Sequence, residues 1–240
     1  MKATYQRGVV YYGTGRKHNI KKDKPDVIDE AIGSIKTLRK YNPDVPVAFF
    51  GVPEDEERLR PYVDFFHLIS DVLEEYGDQG KKVWHNTVLH PQWSWLCGLK
   101  IYILQNSPFE ETFYLDTDTK VLGDITPIWQ MGGLAMAREL PRSKNEYTGV
   151  YNGGVIFFKK SLTVDWMIDW RTTWECLIRR ATFTDQAAMP PKEVEGFTVL
   201  NPEVWNVRPK LANTLPLEKR KDTIILHSRF HTIQQYLSGE

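Results

Sequence analysis

Short apolar runs alternate along the chain with longer amphipathic stretches, and that rhythm predicts its elements. Val9-Val10-Tyr11-Tyr12 reads as a first strand, ended by Gly13-Thr14-Gly15. Across residues 26–41, Val27, Ile28, Ala31, Ile32, Ile35 and Leu38 recur at helical spacing. Asp26 is the expected N-cap of that helix and Asn42-Pro43 its stop. Residues 45–50 and 65–69 read as two more buried strands. Residues 95–105 predict a helix that turns Leu96, Leu99 and Ile103 inward, and Phe113-Tyr114-Leu115 predicts a strand. Later strands are expected at 134–137, 154–158, 198–200 and 223–226, with a long helix over 161–179. Residues 77–82 (Gly-Asp-Gln-Gly-Lys-Lys) are the most loop-like stretch. No internal repeat or linker interrupts the pattern. It predicts an α/β fold with a mostly parallel central sheet and helices on both faces. In such sheets ligands bind beyond the carboxyl ends of the strands.

One strand ends in chemistry. Phe113-Tyr114-Leu115 runs into Asp116-Thr117-Asp118. On an extended chain residues i and i+2 point the same way, so Asp116 and Asp118 would face one point past the strand. Converging carboxylates repel and are costly without a cation. A hard divalent ion, Mg²⁺ or Mn²⁺, relieves the repulsion and can hold a diphosphate as well. An acidic turn after a strand produces the same three residues.

Composition narrows the classes. The 240 residues suit one domain over 1–240, and 41% hydrophobic residues supply a full core. Lys+Arg and Asp+Glu both number 31, a balance unlike that of a dedicated nucleic-acid binder. Two cysteines, Cys97 and Cys176, make no disulfide scaffold, and a reducing compartment is the default. The apolar run at 9–12 is too short for a signal segment or membrane span, so a soluble, cytoplasmic protein is expected.

Several other residues admit two readings. Trp166, Trp170 and Trp174 share one helix face and read as core. Trp84, Trp93 and Trp95 flank His85, His90, Pro91 and Gln92 in a segment read as irregular. They form either a hydrophobic lid or core, or a platform for an acceptor glycan. At Tyr11-Tyr12-Gly13 an aromatic ring either packs on a nucleobase or belongs to the core. Lys100 is either a solvated helix residue or a ligand-facing base. Asn152-Gly153-Gly154 either lets backbone approach a ligand closely or makes a simple turn. Asp185-Gln186 after Thr184 is either a capped helix start or a carboxylate and amide for sugar hydroxyls. Gly13-Thr14-Gly15-Arg16 lacks the longer glycine-rich signature of a pyrophosphorylase phosphate loop.

Taken in order, Asp116-Thr117-Asp118, Asn152-Gly153-Gly154-Val155, Thr184-Asp185-Gln186 and Ile225-Leu226-His227 resemble the GT-A glycosyltransferases, most closely the glycogenin-like family 8. The resemblance spans residues 9–231. It implies a nucleotide-sugar donor, a UDP-sugar by family preference, a divalent metal, a glycan or other hydroxyl acceptor, and transfer with retention. It places Asp116, Asp118 and His227 on the metal and Lys100 beside the donor. Tyr11, Tyr12, Gly13 and Thr117 join them as donor-binding candidates from their places at the strand ends. Asn152, Gly153 and Gly154 fall along the donor sugar. Asp185 and Gln186 fall under the anomeric carbon as the catalytic pair. The family's Gly and Lys-Pro-Trp after the late histidine are absent. The chain reads His227-Ser228-Arg229-Phe230-His231, which leaves Arg229 or His231 to stand in for the lysine.

Two rivals differ in class. A haloacid-dehalogenase-like phosphatase also follows a strand with Asp-x-Asp, but places it near the N-terminus and wants Thr or Val where this chain has Lys120. A non-catalytic nucleotide- or glycan-binding module could keep the same fold.

Overall fold

The computed structural model describes residues 5–15, 26–89, 92–139, 151–179, 184–190 and 194–239. Arg16, His90 and Pro91 lie outside them. Among the described residues the strands are β1 (Tyr5–Tyr12), β2 (Val47–Gly51), β3 (Phe65–Leu68), β4 (Phe109–Leu115), β5 (Thr119–Val121), β6 (Leu134–Arg138), β7 (Tyr151–Lys159), β8 (Phe197–Leu200) and β9 (Ile225–His227). Seven of them form one sheet in the order β3-β2-β1-β4-β7-β6-β8, while β5 and β9 pair separately. Within the seven-stranded sheet only β7 runs against its neighbours: β4–β7 and β6–β7 are antiparallel and the sheet's other pairings parallel, while β5 and β9 pair antiparallel. The mostly parallel sheet expected from the sequence is therefore present. Reversal of β7 brings its first residues to the edge where β1, β4 and β6 end.

Helices cover both faces. On one lies α1 (Val27–Tyr41), capped by Asp26, whose side chain accepts from Ile28 N at 2.8 Å. Its buried stripe of Ile28, Ala31, Ile35 and Leu38 meets Val9, Tyr11, Phe49 and Phe113 of the sheet. After β2 comes α2 (Pro53–Leu59). The opposite face carries α3 (Ile69–Glu74), α4 (Gly77–Trp84), α5 (Trp93–Gln105) and α6 (Lys160–Ile178), packed on Val10, Phe50, Tyr114 and Ile156. α5 is buried nearly all round, as an apolar helix must be in a second layer. Short helices α7 (Pro202–Trp205), α8 (Pro209–Thr214), α9 (Leu217–Arg220) and α10 (Ile233–Ser238) surround β9.

Two expectations are corrected here. Residues 77–82 are helix, not loop. Gly80 lets α4 approach α3 so closely that a Cβ would sit 1.8 Å from Leu73 O, and this tertiary contact outweighs weak local propensity. The tryptophan segment is helical too, since α4 runs into a π-turn at His85–Leu89 and α5 begins at Trp93. Trp95 is buried edge-on against Trp174 at 5.3 Å, whereas Trp93 is exposed. Trp166, Trp170 and Trp174 are core, as expected.

Candidate active site

Five segments meet at the carboxyl edge of the sheet. Asp116 leaves the end of β4, and its backbone N–H donates to Gly154 O at the start of β7, 2.8 Å away. Asp116 and Asp118 do converge, though not along an extended strand. They flank a turn into β5, closed by Thr119 N–H and Oγ1 on Asp116 O at 3.2 and 2.8 Å. Pairing of β5 with β9 sets Thr119 opposite His227 and delivers the imidazole to the two carboxylates. His227 Nε2 lies 3.1 Å from Asp118 Oδ1 and 3.6 Å from Asp116 Oδ2. One ligand atom from each of the three lies within 4.8 Å of the others.

That set suits a divalent ion. Two carboxylate oxygens and an imidazole nitrogen match Mn²⁺ chemistry, or Mg²⁺ through the oxygens. Room for the set comes from Gly154, where a Cβ would sit 2.1 Å from His227 Cε1 and 2.6 Å from Asp116 Oδ2.

Beside it is a buried charge cluster. Lys100, the one charged residue of α5, donates to Gly153 O at 2.7 Å. Its Nζ lies 3.1 Å from Asp116 Oδ1 and 3.1 Å from Asp185 Oδ2. The second contact lacks hydrogen-bond alignment and is Coulombic, which leaves Asp185 Oδ2 a buried oxygen without a donor. Burial opposes the charge on Lys100. The two carboxylates outweigh it and hold its pKa well above the ordinary lysine value. Tyr114 donates its hydroxyl to Asp116, and burial together with that carboxylate raises its pKa far above normal, so it stays a phenol. Trp170 Nε1 fixes the Asp185 backbone carbonyl at 2.8 Å.

On the open side, Arg229 reaches Asp118 Oδ2 at 3.3 Å and Glu30 Oε1 at 3.5 Å. Burial works against the Asp118 charge, yet His227, when it is protonated, and Arg229 hold its carboxyl well below the usual range. Lys120 donates to Ser228 O. His231 turns elsewhere, to Ser228 Oγ and Asn213 Oδ1, each at 2.8 Å.

No family model matches the chain, and no curated protein matches it by sequence. Solved structures do. The glycosyltransferase GlyE of Streptococcus pneumoniae aligns with a TM-score of 0.62 at 18% identity, over 94% of this chain and 55% of that one. This chain thus spans little more than half of GlyE. Mouse xyloside xylosyltransferase 1 aligns with a TM-score of 0.58 at 13% identity, over 93% of this chain and 98% of that one. The galactosyltransferase LgtC, solved with donor and acceptor sugar analogues, gives 0.56 at 15% identity, over 92% and 87%. The chain has the GT-A fold.

Within that GT-A frame most residues singled out from the sequence converge on one edge. Asp116, Asp118, His227, Lys100, Asp185, Asn152, Gly153 and Gly154 are joined by the contacts above or by those of Asn152 below. Thr117 is buried in the turn between the aspartates. Gly13 follows β1 with its Cα against Val27, where a Cβ would sit 2.7 Å from Cγ1. Tyr11 is corrected. Its ring is fully buried and its hydroxyl bonds Ser34 Oγ at 3.0 Å, so it belongs to the core beneath α1 and offers no face to a base. Alternation along β1 turns Tyr12 to the other face. There its hydroxyl donates to Leu96 O at 3.1 Å and its ring stacks on Tyr114. Among the described residues no helix is long and apolar enough to cross a membrane.

Three residues of the site escaped the sequence reading. Glu139 accepts from Asn152 Nδ2, from Gln186 Nε2 at 3.0 Å and from Arg208 Nη1. Asn206 donates to Asn152 Oδ1 at 2.9 Å and faces His227 Nδ1 at 2.8 Å. Glu139 directly follows β6, a strand parallel to β4, and a polar residue just past a strand end was the signal available. Asn206 and Arg208 carry no such mark.

Proposed function

We propose that the protein is a glycosyltransferase. It moves a sugar from a nucleotide-sugar donor to a hydroxyl acceptor such as a glycan. The observation that carries this reading is the meeting of Asp116, Asp118 and His227 beside Lys100 and Asp185 at the ligand-binding edge of a GT-A sheet. The UDP preference and retention follow from the family resemblance.

The leaving diphosphate carries negative charge while positive charge builds on the anomeric carbon. A divalent ion held by Asp116, Asp118 and His227 would act as a Lewis acid toward that diphosphate. Arg229, already beside Asp118, is the cation we assign to the place of the absent family lysine, since His231 turns away. On the sugar side Lys100 anchors the Asp185 carboxylate, the group we assign to a sugar hydroxyl. Gln186 is held by its amide nitrogen on Glu139. Gly153 and Gly154 keep the floor of the site free of side chains. Trp93, exposed at the start of α5, offers a face for an acceptor.

The test is turnover and calorimetry. Wild-type protein with Mn²⁺ should transfer or hydrolyse a member of a nucleotide-sugar panel. Asp118→Ala should lose metal-dependent binding of UDP. Unchanged affinity for UDP with Mn²⁺ in that variant would remove the metal assignment. A wild type that neither transfers nor hydrolyses any nucleotide sugar would leave a nucleotide-binding module as the better reading.

A further inference from the structure

Buried amides have two orientations, and neighbours that can only donate or only accept decide between them. Asn152 has such a neighbour at each end. Gly154 N–H can only donate, and it meets the Asn152 side chain at 2.9 Å, so that atom is the oxygen. Glu139, ion-paired with Arg208 and with its side chain 3% exposed, can only accept, so the Asn152 atom it meets is the nitrogen. The direction then propagates. Asn206 presents an atom to Asn152 Oδ1 at 2.9 Å, and only its Nδ2 can bond there. The remaining Asn206 atom is therefore Oδ1, and it lies 2.8 Å from His227 Nδ1. An oxygen acceptor there requires the proton on Nδ1. Asn152, Asn206 and His227 are 3%, 2% and 6% exposed, so water offers little alternative partnership.

The opposite arrangement would be harmful. With Nδ1 as the acceptor, the proton would sit on Nε2, donate to Asp118 Oδ1 at 3.1 Å and block the nitrogen that faces both carboxylates. We propose that Glu139 and Asn206 are positioning residues of the metal centre. In this proposal the relay Glu139–Asn152–Asn206 holds the His227 proton on Nδ1 and keeps Nε2 as the only ring nitrogen open to a metal. The proposal deepens the glycosyltransferase reading and rests on it for the word metal. The hydrogen-bond direction stands by itself. The same Glu139 oxygen bonds Gln186, so one carboxylate orients groups on both the metal side and the sugar side.

Ring-nitrogen NMR of histidine-labelled, metal-free protein decides the direction, with His227 assigned by comparison with His227→Gln. A slowly exchanging Nδ1–H, hydrogen-bonded to Asn206, is expected. A His227 without that proton overturns the proposal. Calorimetry with Mn²⁺ alone then reads the consequence. Asn206→Leu removes the acceptor and should weaken Mn²⁺ binding about 10–100-fold, the usual scale for a partner behind a metal ligand. Asn206→Asp keeps an acceptor at Nδ1 and should restore both the Nδ1 proton and most of the affinity. Glu139→Leu, which removes the acceptor, should weaken Mn²⁺ binding in the wild-type background and have no such effect in Asn206→Asp, where the direction no longer depends on the relay. Equal effects of Glu139→Leu in both backgrounds, or wild-type affinity in Asn206→Leu, overturn the relay. Should Asn206→Leu fail to fold, the wild-type spectrum and the Glu139→Leu pair still decide. A wild type that shows the Nδ1 proton but binds no Mn²⁺ sinks the metal reading while upholding the hydrogen-bond direction.

Discussion

Two groups of ion pairs share the sheet edge and differ in enclosure. Around Lys100 the side chains of Lys100 and Asp185 are 7% and 8% exposed, with only Asp116 open at 29%, and the ammonium also donates to a backbone carbonyl. Around Arg229 the guanidinium itself and Asp118 are 25% and 20% exposed, with only Glu30 enclosed at 9%, and the contacts are longer, at 3.3 to 3.5 Å. Coulomb attraction operates in both. Enclosure decides the outcome, because a buried charge that loses its partner cannot turn to water, whereas an open one can. The Lys100 group is thus a fixed part of the site. The Arg229 group is an exchangeable contact, suited to a cation that must meet a ligand.

Lys100→Met should break that contrast most severely. It leaves Asp185 buried without its counter-charge and should cost about 3–5 kcal/mol of folding stability, read by denaturant titration. A loss under about 1 kcal/mol would mean the two groups are equivalent. Next in size, Asp185→Ala and Gln186→Ala should lower kcat about 10²–10³-fold, while donor affinity stays near wild type. Single-turnover kinetics beside calorimetry separates the two quantities, and wild-type turnover in both variants would make these residues structural.

Stability against pH sharpens the comparison. The folded pKa of Lys100 lies above its unfolded value of about 10.4. Its contribution is therefore complete below about pH 10 and is lost as pH rises through the folded value. The difference in melting temperature between wild type and Lys100→Met should hold steady from neutral pH upward and shrink only on the alkaline side. Shrinkage already near neutrality would contradict the raised pKa. The smallest effect is expected from Arg229→Ala, within about 1 kcal/mol in stability. Its mark should instead be weaker UDP binding with steeper salt sensitivity lost, measured by calorimetry at two ionic strengths.

Much of this layout was legible from apolar spacing. The stripe of α1 with its Asp26 cap, the fully buried β2 and the strand before Asp116 all stand where the pattern put them. The Asp116 and Asp118 pair was legible in the same way, because carboxylates that end a buried strand contrast with their surroundings, whereas His227, Lys100 and Asp185 were picked out by the family resemblance. Residues 77–82 misled because Gly80 serves a partner helix rather than its own. Tyr11 misled because one residue of register exchanges core for rim.

Periodicity, caps and strand ends are local, and local physics sufficed for the elements, for the sheet's mostly parallel order and for which carboxylates end a strand. The reversal of β7, the delivery of His227 by β5–β9 pairing and the links from Glu139 through Asn206 join residues tens of positions apart. No short-range pattern encodes them. They exist because burying both sheet faces brings those segments to one edge, where every enclosed polar atom must then find a partner.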